Sequence, residues 1–275
     1  MLALFSQQLA ILIPAIGHAN FPAALINMLR QLVAIDDATI VVYPGTDLPQ
    51  IDYSEPSKES TGSALDTFIR GAFLLDPYYL AATRNQEYGM FRIGDLAPEG
   101  FEDSEYYKIW YGDHGFQDEC GYLIRIGEEG FLNIALGKIA PHPNFSAEQM
   151  ATLAAILPTI ESLCQQHWRE STTQANSTDL RPQLDAALHA FGSSLLTDRE
   201  TQVINLVLHG HSTKNVAERL SIAIETVKLH RKHAYAKLDI NSQAELFYLF
   251  LDSVRSATNY QSGDTLIAYR QPSPR

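Results

Sequence analysis

A run of short amphipathic helical patterns between Leu195 and Val254 constrains this chain most. Thr197 and Glu200 have the spacing of a capping box, in which each side chain bonds the other residue's backbone N–H. Ser212 stands at the start of a second pattern. A third pattern places three apolar residues on one face: Val227, Ala234 and Leu238. Short helices joined by tight turns predict a small all-α domain that contains a helix-turn-helix.

The opposite face of the third pattern is polar and basic. Lys228, Leu229 and Lys232 share this face because residues three and four apart are neighbours on a helix. Arg231 lies at its edge, and Glu225 is the one acid against four basic residues between Ile224 and Leu238. An exposed basic helix beside a turn is typical of docking into the DNA major groove.

Charge divides the chain into two parts. Residues 1–193 hold 10 basic and 24 acidic residues, a net charge of −14, whereas residues 194–275 hold 10 basic and 8 acidic residues, a net charge of +2. The chain as a whole carries −12. We therefore predict a front domain over 1–170, a linker over 171–194, a DNA-binding domain over 195–254 and a polar C-terminal tail over 255–275.

The front part mixes helix and strand signals, which predicts an α+β sandwich with helices around a short antiparallel sheet. Ser146 begins a capping box ahead of a long apolar stripe. The residues 127–130, Gly-Glu-Glu-Gly, predict the turn of a hairpin. The remaining predictions are two helices broken at 17–22, a strand at 39–43, a loop over 47–62, a helix over 65–73, strands within 79–93, a helix near 104–111, and hairpin strands at 122–126 and 131–136.

Composition narrows the functional class. Two cysteines at unrelated positions favour a reducing compartment, and Pro14 and Pro22 interrupt an uncharged N-terminus that lacks the basic start of a signal peptide. We expect a cytoplasmic chain with no membrane partner. No hydrolase, phosphate-loop or zinc-protease motif is present, so we expect no catalytic residues, no metal site and no cofactor.

Several spaced blocks resemble the DNA-binding domain of the LuxR family. They are Leu196-Thr197-x-Arg199-Glu200, Gly210-x-Ser212-x-Lys214-x-Val216-Ala217, Thr226-Val227-Lys228-x-His230 and Lys237-Leu238. The resemblance covers roughly a fifth to a quarter of the chain. Three positions depart from the family pattern, in which Glu, Ser and Arg are usual: Asn215, Ala223 and Gln243.

The resemblance implies functional residues as well as a fold. By it, a fourth helix at 242–251 packs against its counterpart in a DNA-bound dimer, through Ala244, Phe247, Phe250 and Leu251. The DNA contacts it implies are Lys214, Thr226, Lys228, Leu229 and Lys232, to which the edge position adds Arg231.

The front domain is similar to the GAF- or PAS-like sensors found in some LuxR-type regulators. The similarity lies in Leu74–Tyr79, Asp95–Phe101, Ser104–Tyr107 and Asp118–Gly121. A phosphorelay receiver is not expected, because no later strand delivers the Asp and Lys that it needs. Asp76-Pro77 is also found in lactone-sensing domains, although the Trp and Tyr expected shortly before it are missing.

Aromatic and acidic residues cluster in the sequence of the front part and predict a small-molecule site. The candidate ligand residues are Tyr78, Tyr88, Tyr106, Trp110, Tyr111, Phe116, Asp118 and Glu119. Rings beside carboxylates can hold an amine. The alternative is that most of these rings are core, and an aromatic or carboxylic ligand also stays open.

Together these observations predict a transcription factor, most simply an activator, that binds double-stranded promoter DNA as a homodimer. A small-molecule effector bound in the front domain would control it, and RNA polymerase would be a further partner. The alternative is a constitutive DNA-binding regulator whose front domain only dimerises or docks a protein.

Overall fold

The computed structural model describes residues 2–55, 62–112, 115–169, 180–256 and 262–270. These residues form two compact units. The sheet unit consists of Met1–Leu65, Pro77–Leu96 and His114–Asp179, and the helical unit consists of Asp66–Asp76, Ala97–Asp113 and Leu180–Arg275. No helix among the described residues is long and apolar enough to cross a membrane. The predicted domain boundaries stay a prediction, because the contacts group the chain by space rather than by sequence order.

Five antiparallel strands form the centre of the sheet unit. They are β1 (Asp37–Tyr43), β2 (Gln50–Ser54), β3 (Gly89–Arg92), β4 (Phe116–Ile126) and β5 (Gly130–Ile139), and their order across the sheet is β2-β1-β5-β4-β3. The predicted hairpin is confirmed, with Ile126 opposite Gly130 at its turn. The predicted combination of helices with a short antiparallel sheet is therefore correct.

Thirteen α-helices lie among the described residues of the two units. They are α1 (Leu2–Leu12), α2 (Phe21–Leu32), α3 (Gly62–Ile69), α4 (Pro77–Leu80), α5 (Ile93–Leu96), α6 (Glu105–Trp110), α7 (Ala147–His167), α8 (Leu180–Ala190), α9 (Asp198–Leu208), α10 (Thr213–Leu220), α11 (Ile224–Leu238), α12 (Gln243–Ser256) and α13 (Thr265–Arg270). Short 3₁₀ or π turns lie at 13–15, 72–75, 81–85 and 101–103.

The main core of the sheet unit covers one face of the sheet. Apolar side chains of α1, α2 and α7 pack on alternate residues of β1, β4 and β5, such as Ile40, Ile124 and Ile134. The predicted capping box at the start of α7 is present, with Ser146 bonded to Gln149 in both directions. The residues that alternate with these, such as Val41, Leu123 and Phe131, face the other side of the sheet and are buried as well.

Two sequence predictions for the sheet unit were wrong in part. One of the one or two short strands expected within 79–93 is present, Gly89–Arg92, but residues 77–85 are helical. Tyr78 and Tyr79 lie in α4 and are buried. A helix forms here because Pro77 suits its first turn, and this outweighs the β-propensity of the two tyrosines. The expected loop at 47–62 contains β2, an edge strand that pairs only with β1 and is mostly polar for that reason.

The helical unit is built around α9, α10 and α11, as predicted. Val203 and Val216 are buried together with the three predicted apolar residues of α11, Val227, Ala234 and Leu238. One helix lies where no regular structure was expected, because α8 falls inside the predicted linker. α13 falls inside the predicted tail, with Leu266 buried. Residues 171–179 of the linker lie outside the described residues.

Candidate nucleic-acid interface

Capping interactions fix the start of each helix in the helix-turn-helix. Thr197 and Glu200 form the predicted capping box of α9, and the Ser212 hydroxyl accepts the Asn215 backbone N–H at the start of α10. Ala223 stands at the N-cap of α11 in extended geometry and makes no side-chain cap bond. α11 therefore begins without the side-chain acceptor that α9 and α10 have, as the departure at this position predicts.

All six residues predicted to contact DNA are accessible to solvent. Four are exposed and two are half-buried: Lys214, Lys228, Leu229 and Lys232, and Thr226 and Arg231. Leu229 is 50% exposed, whereas Val227 and Ala234 on the other side of α11 are at most 1% exposed. An apolar side chain held in solvent at the middle of a basic helix is suited to contact a base edge or a thymine methyl group.

Two of the exposed lysines, Lys214 and Lys228, form ion pairs on the surface. Lys228 Nζ lies 2.8 Å from Glu225 one turn before it. Lys214 Nζ lies 3.7 Å from Glu99 and 3.9 Å from Glu218. Exposed pairs of this kind contribute little to stability. Phosphate oxygens could therefore replace the carboxylates at small cost.

The buried carboxylate of Glu200 binds Lys237 in the last turn of α11. Glu200 is 4% exposed and accepts a hydrogen bond of 2.6 Å from Lys237 Nζ, besides its bond to the Thr197 N–H. Burial opposes the ionisation of Glu200, but the hydrogen bonds from Lys237 and Thr197 outweigh it and hold the pKa of this carboxyl below its ordinary value. The sequence predicted the capping box but not the contact between Glu200 and Lys237, because 37 residues separate the two.

Residues 97–112 also pack on the helix-turn-helix. The Ser212 backbone N–H donates to the Glu99 carbonyl at 2.8 Å. Gly100 has a φ of +96°, and a Cβ there would lie 2.6 Å from that of Ser212, so the close approach requires glycine. Phe101 lies against Gly210. These residues belong by sequence to the predicted front domain, and their contacts place them in the helical unit.

The predicted dimerisation residues lie on α12. Phe247, Phe250 and Leu251 are at most 4% exposed, and Ala244 is half-buried. The Phe247 ring packs edge-on against Trp110, and the Phe250 ring packs edge-on against Phe191. Dimerisation through α12 stays a prediction, and its apolar residues already have partners in the same unit.

The predicted ligand residues fall in both units. Tyr106, Trp110 and Tyr111 lie in the helical unit. The Tyr106 hydroxyl donates to Asp76 at 2.6 Å, and its ring stacks on Trp110 at 4.7 Å. The Tyr111 ring stacks on Tyr107 at 5.2 Å. In this unit the rings contact one another, as the alternative that most of them are core predicts.

The other five predicted ligand residues lie in the sheet unit and differ in their surroundings. Tyr78 and Glu119 are buried. The Tyr88 ring has the Arg125 guanidinium 4.5 Å above its centre, and the Phe116 ring lies over Gly137. Asp118 pairs with Arg92 and accepts the Phe145 backbone N–H. No group of three potential metal ligands occurs among the described residues.

Comparison with known proteins identifies the family. A model of the luxR family of bacterial regulatory proteins matches residues 194–250. An HTH-type transcriptional regulator encoded in the exeN 3′ region of Aeromonas salmonicida is 34% identical over 189 residues, which are 66% of this chain and 96% of that protein. This chain belongs to the luxR family. It is a transcriptional regulator, as its sequence blocks predict.

Two further proteins are similar to this chain over about half of its length. The LBD domain of VqsR from Pseudomonas aeruginosa superposes with a TM-score of 0.52 and 25% identity, over 59% of this chain and 94% of that one. The monoamine regulon transcriptional regulator of Klebsiella aerogenes is 26% identical over 141 residues, 51% of this chain and 53% of that protein. The superposition on VqsR shows that the fold of this chain resembles that of the VqsR LBD domain.

Proposed function

We propose that this luxR-family regulator activates transcription as a homodimer when a small metabolite binds its sheet unit. The basic, accessible face of α11 carries the proposal for DNA binding. Lys228 and Lys232 are exposed beside the half-buried Thr226, while the apolar residues of the same helix are buried in the helix-turn-helix core. Phosphates would attract the lysines, and the neighbouring side chains would read base edges.

The dimer follows from the geometry of DNA. A pair of recognition helices reads two half-sites about one helical turn apart, so two copies related by a twofold axis suit a palindromic operator. Ligand binding would favour one placement of the two helix-turn-helix regions over others. Contact between the bound dimer and RNA polymerase would then raise transcription, in the cytoplasm.

Support for a sensing role comes from the likeness to an LBD domain and from the sheet itself. Only one face of the sheet is covered by the main core of the unit. A GAF- or PAS-like origin of this fold and the domain boundaries 1–170, 171–194, 195–254 and 255–275 are part of the same proposal. The name of the Klebsiella relative makes amines one class of effector to test.

The experiment selects an operator from random duplex DNA with the full chain and then compares variants on it. Lys228→Ala with Lys232→Ala should weaken binding by about 100-fold or more, because two phosphate or groove contacts are lost. Lys108→Ala is a matched control, since Lys108 is equally exposed and pairs one turn away with Glu105 at 2.7 Å. Binding by the double variant at wild-type affinity would refute the assignment of the recognition face.

A further inference from the structure

The face of the sheet opposite the main core carries an unusual set of residues. The strand register aligns Asp37, Gly137 and Glu119 in one row across β1, β5 and β4. The next row on the same face is Thr39, Ala135 and Gly121, and the one after it is Val41, Asn133 and Leu123. Side chains two residues apart on a strand point to the same face, so these nine residues form one surface.

The middle row lies at the bottom of a recess. Ala135 and Thr39 are half-buried, although β5 is the central strand of the sheet. The rows on either side are almost closed: Asp37, Val41, Glu119, Leu123 and Asn133 are at most 7% exposed. Gly121 adds no side chain to the floor. Accessible surface at the centre of a sheet, between two buried rows, indicates an opening that reaches this floor.

Asn133 has a polar atom directed into the recess. Its Oδ1 is buried and has no hydrogen-bond partner among the residues that the structure describes. The same atom lies 3.2 Å from the position that a Cβ would take on Gly121, so it points over the floor of the middle row. A buried carbonyl oxygen without a donor is costly, and a ligand that brings an N–H group would remove this cost.

The surroundings of this oxygen favour a cation as the donor. Asp37 and Glu119 place two buried carboxyl groups in the adjoining row, and Thr39 adds a hydroxyl to the floor. The carboxyl groups have contacts of their own, so their contribution here is negative charge rather than a vacant acceptor. Val41 and Leu123 flank Asn133 and supply an apolar wall.

We propose that this recess binds the ammonium group of a small protonated amine, with Asn133 Oδ1 as acceptor and Glu119 and Asp37 as the source of charge complementarity. The proposal rests on the sensing role proposed above and gives the ligand its chemical class. Val41 and Leu123 contact the carbon chain next to the ammonium group. An anionic ligand is disfavoured by the two carboxyl groups.

The test measures binding to the full chain by calorimetry, because the sheet unit is not one continuous segment. The probes are propylamine, benzylamine and 2-phenylethylamine, each compared with its neutral alcohol and its carboxylate counterpart. We expect at least one amine to bind saturably, and its alcohol and carboxylate to bind at least about tenfold more weakly, because a hydrogen bond to an ion is about twice as strong as a neutral one.

Variants locate the binding. Glu119→Gln and Asn133→Leu should each weaken amine binding by about tenfold or more, and Glu128→Gln in the exposed hairpin turn should not change it. Asn133→Leu should not lower the melting temperature of the unliganded protein, because it removes a buried acceptor that lacks a donor. In Asn133→Asp the ionised side chain can accept hydrogen bonds but cannot donate them. Amine binding that is retained or tighter in this variant would confirm that the site needs an acceptor.

The outcomes separate this proposal from the sensing role. If no amine in the panel binds, or if Glu119→Gln and Glu128→Gln bind equally well, the ligand class is wrong. An acyl-lactone or a carboxylate could bind instead, and Ala135→Leu would abolish that binding if the leucine side chain fills the floor of the recess. In that case the recess binds another class of ligand and the proposed sensing role stands. Saturable amine binding that is lost in Asn133→Leu supports the proposal.

Discussion

The helix-turn-helix and the recess on the sheet differ in how far apart in the sequence their working residues lie. Thr226, Lys228 and Lys232 share one helix, and their common face follows from a spacing of three or four residues. The recess joins residues of β1, β4 and β5, and the strand register alone brings Asp37 and Glu119 to the two ends of one row. Local spacing predicts the first kind of site, whereas the second depends on long-range pairing.

Glu200 combines both kinds of contact, so its substitution gives the largest expected effect. Glu200→Gln keeps a capping box of the type that Gln149 makes in α7, but it loses the ion pair with Lys237. We expect a loss of about 1–3 kcal/mol in the free energy of unfolding at neutral pH, because a hydrogen bond to a charged group is removed from a buried site. Urea unfolding followed by circular dichroism measures it.

Glu245→Gln is the matched control for this substitution. Glu245 also lies in the first turn of a helix, α12, and accepts the Asn241 backbone N–H at 2.8 Å, but it is exposed. A loss below about 0.5 kcal/mol is expected there. The pKa of Glu200 is lowered in the folded state. Its charged form therefore stabilises the fold above the ordinary carboxyl pKa, and this stabilisation is lost as the pH falls from there through the lowered pKa. A difference between wild type and Glu200→Gln that persists unchanged at pH 3 would contradict this account.

Ala223→Ser tests a purely local contact with an intermediate effect. The N-cap of α11 already has extended geometry, with φ −69° and ψ 148°, so a serine hydroxyl there could accept a free N–H of the first turn. We expect a gain of about 0.5–1 kcal/mol in the free energy of unfolding. Ala236→Ser, at an exposed position inside the same helix, should give a small loss instead. Equal effects of the two substitutions would show that the cap is not what limits this helix.

His167 provides the smallest effect and depends wholly on distant contacts. Its Nδ1 accepts the Gly17 backbone N–H at 3.0 Å, across 150 residues, and its ring stacks on Phe21 at 4.2 Å. Burial lowers the pKa of His167, Asp52 opposes this, and His18 adds to it. The neutral ring therefore stabilises the folded state above about pH 6.5, and this stabilisation is lost as the pH falls from there through the lowered pKa.

The measurement for His167 is the urea midpoint between pH 5 and pH 8. The midpoint of the wild type should fall on acidification by more than that of His167→Gln, which cannot titrate. The two proteins should differ least in their pH slope near pH 8, where the histidine is neutral in both the folded and the unfolded state. Parallel curves over the whole range would show that His167 is not the group responsible.

The same distinction explains how much the sequence could predict. Caps and apolar spacing placed α7, α9, α10 and α11 correctly, and glycines at both ends of a turn placed the β4–β5 hairpin. The edge strand β2 was missed because it forms by pairing with β1, and the short helix α4 was missed because its aromatic residues favour strands although Pro77 suits the first turn of a helix. Of the recess residues, only Glu119 was among the predicted ligand residues. The packing of 97–112 on the helix-turn-helix has no local signal.

The salt dependence of operator binding tests the central claim most directly. The affinity of wild type, Lys228→Ala and Lys108→Ala would be measured across a series of salt concentrations. Lys228 and Lys108 are similarly exposed, and each pairs with a glutamate three residues before it. They differ in their position on the fold and in the exposure of that glutamate, which is high for Glu225 and low for Glu105. We predict that Lys228→Ala lowers the slope of log affinity against log salt concentration by about one, and that Lys108→Ala leaves this slope at the wild-type value. Three parallel lines would show that α11 does not meet the DNA backbone.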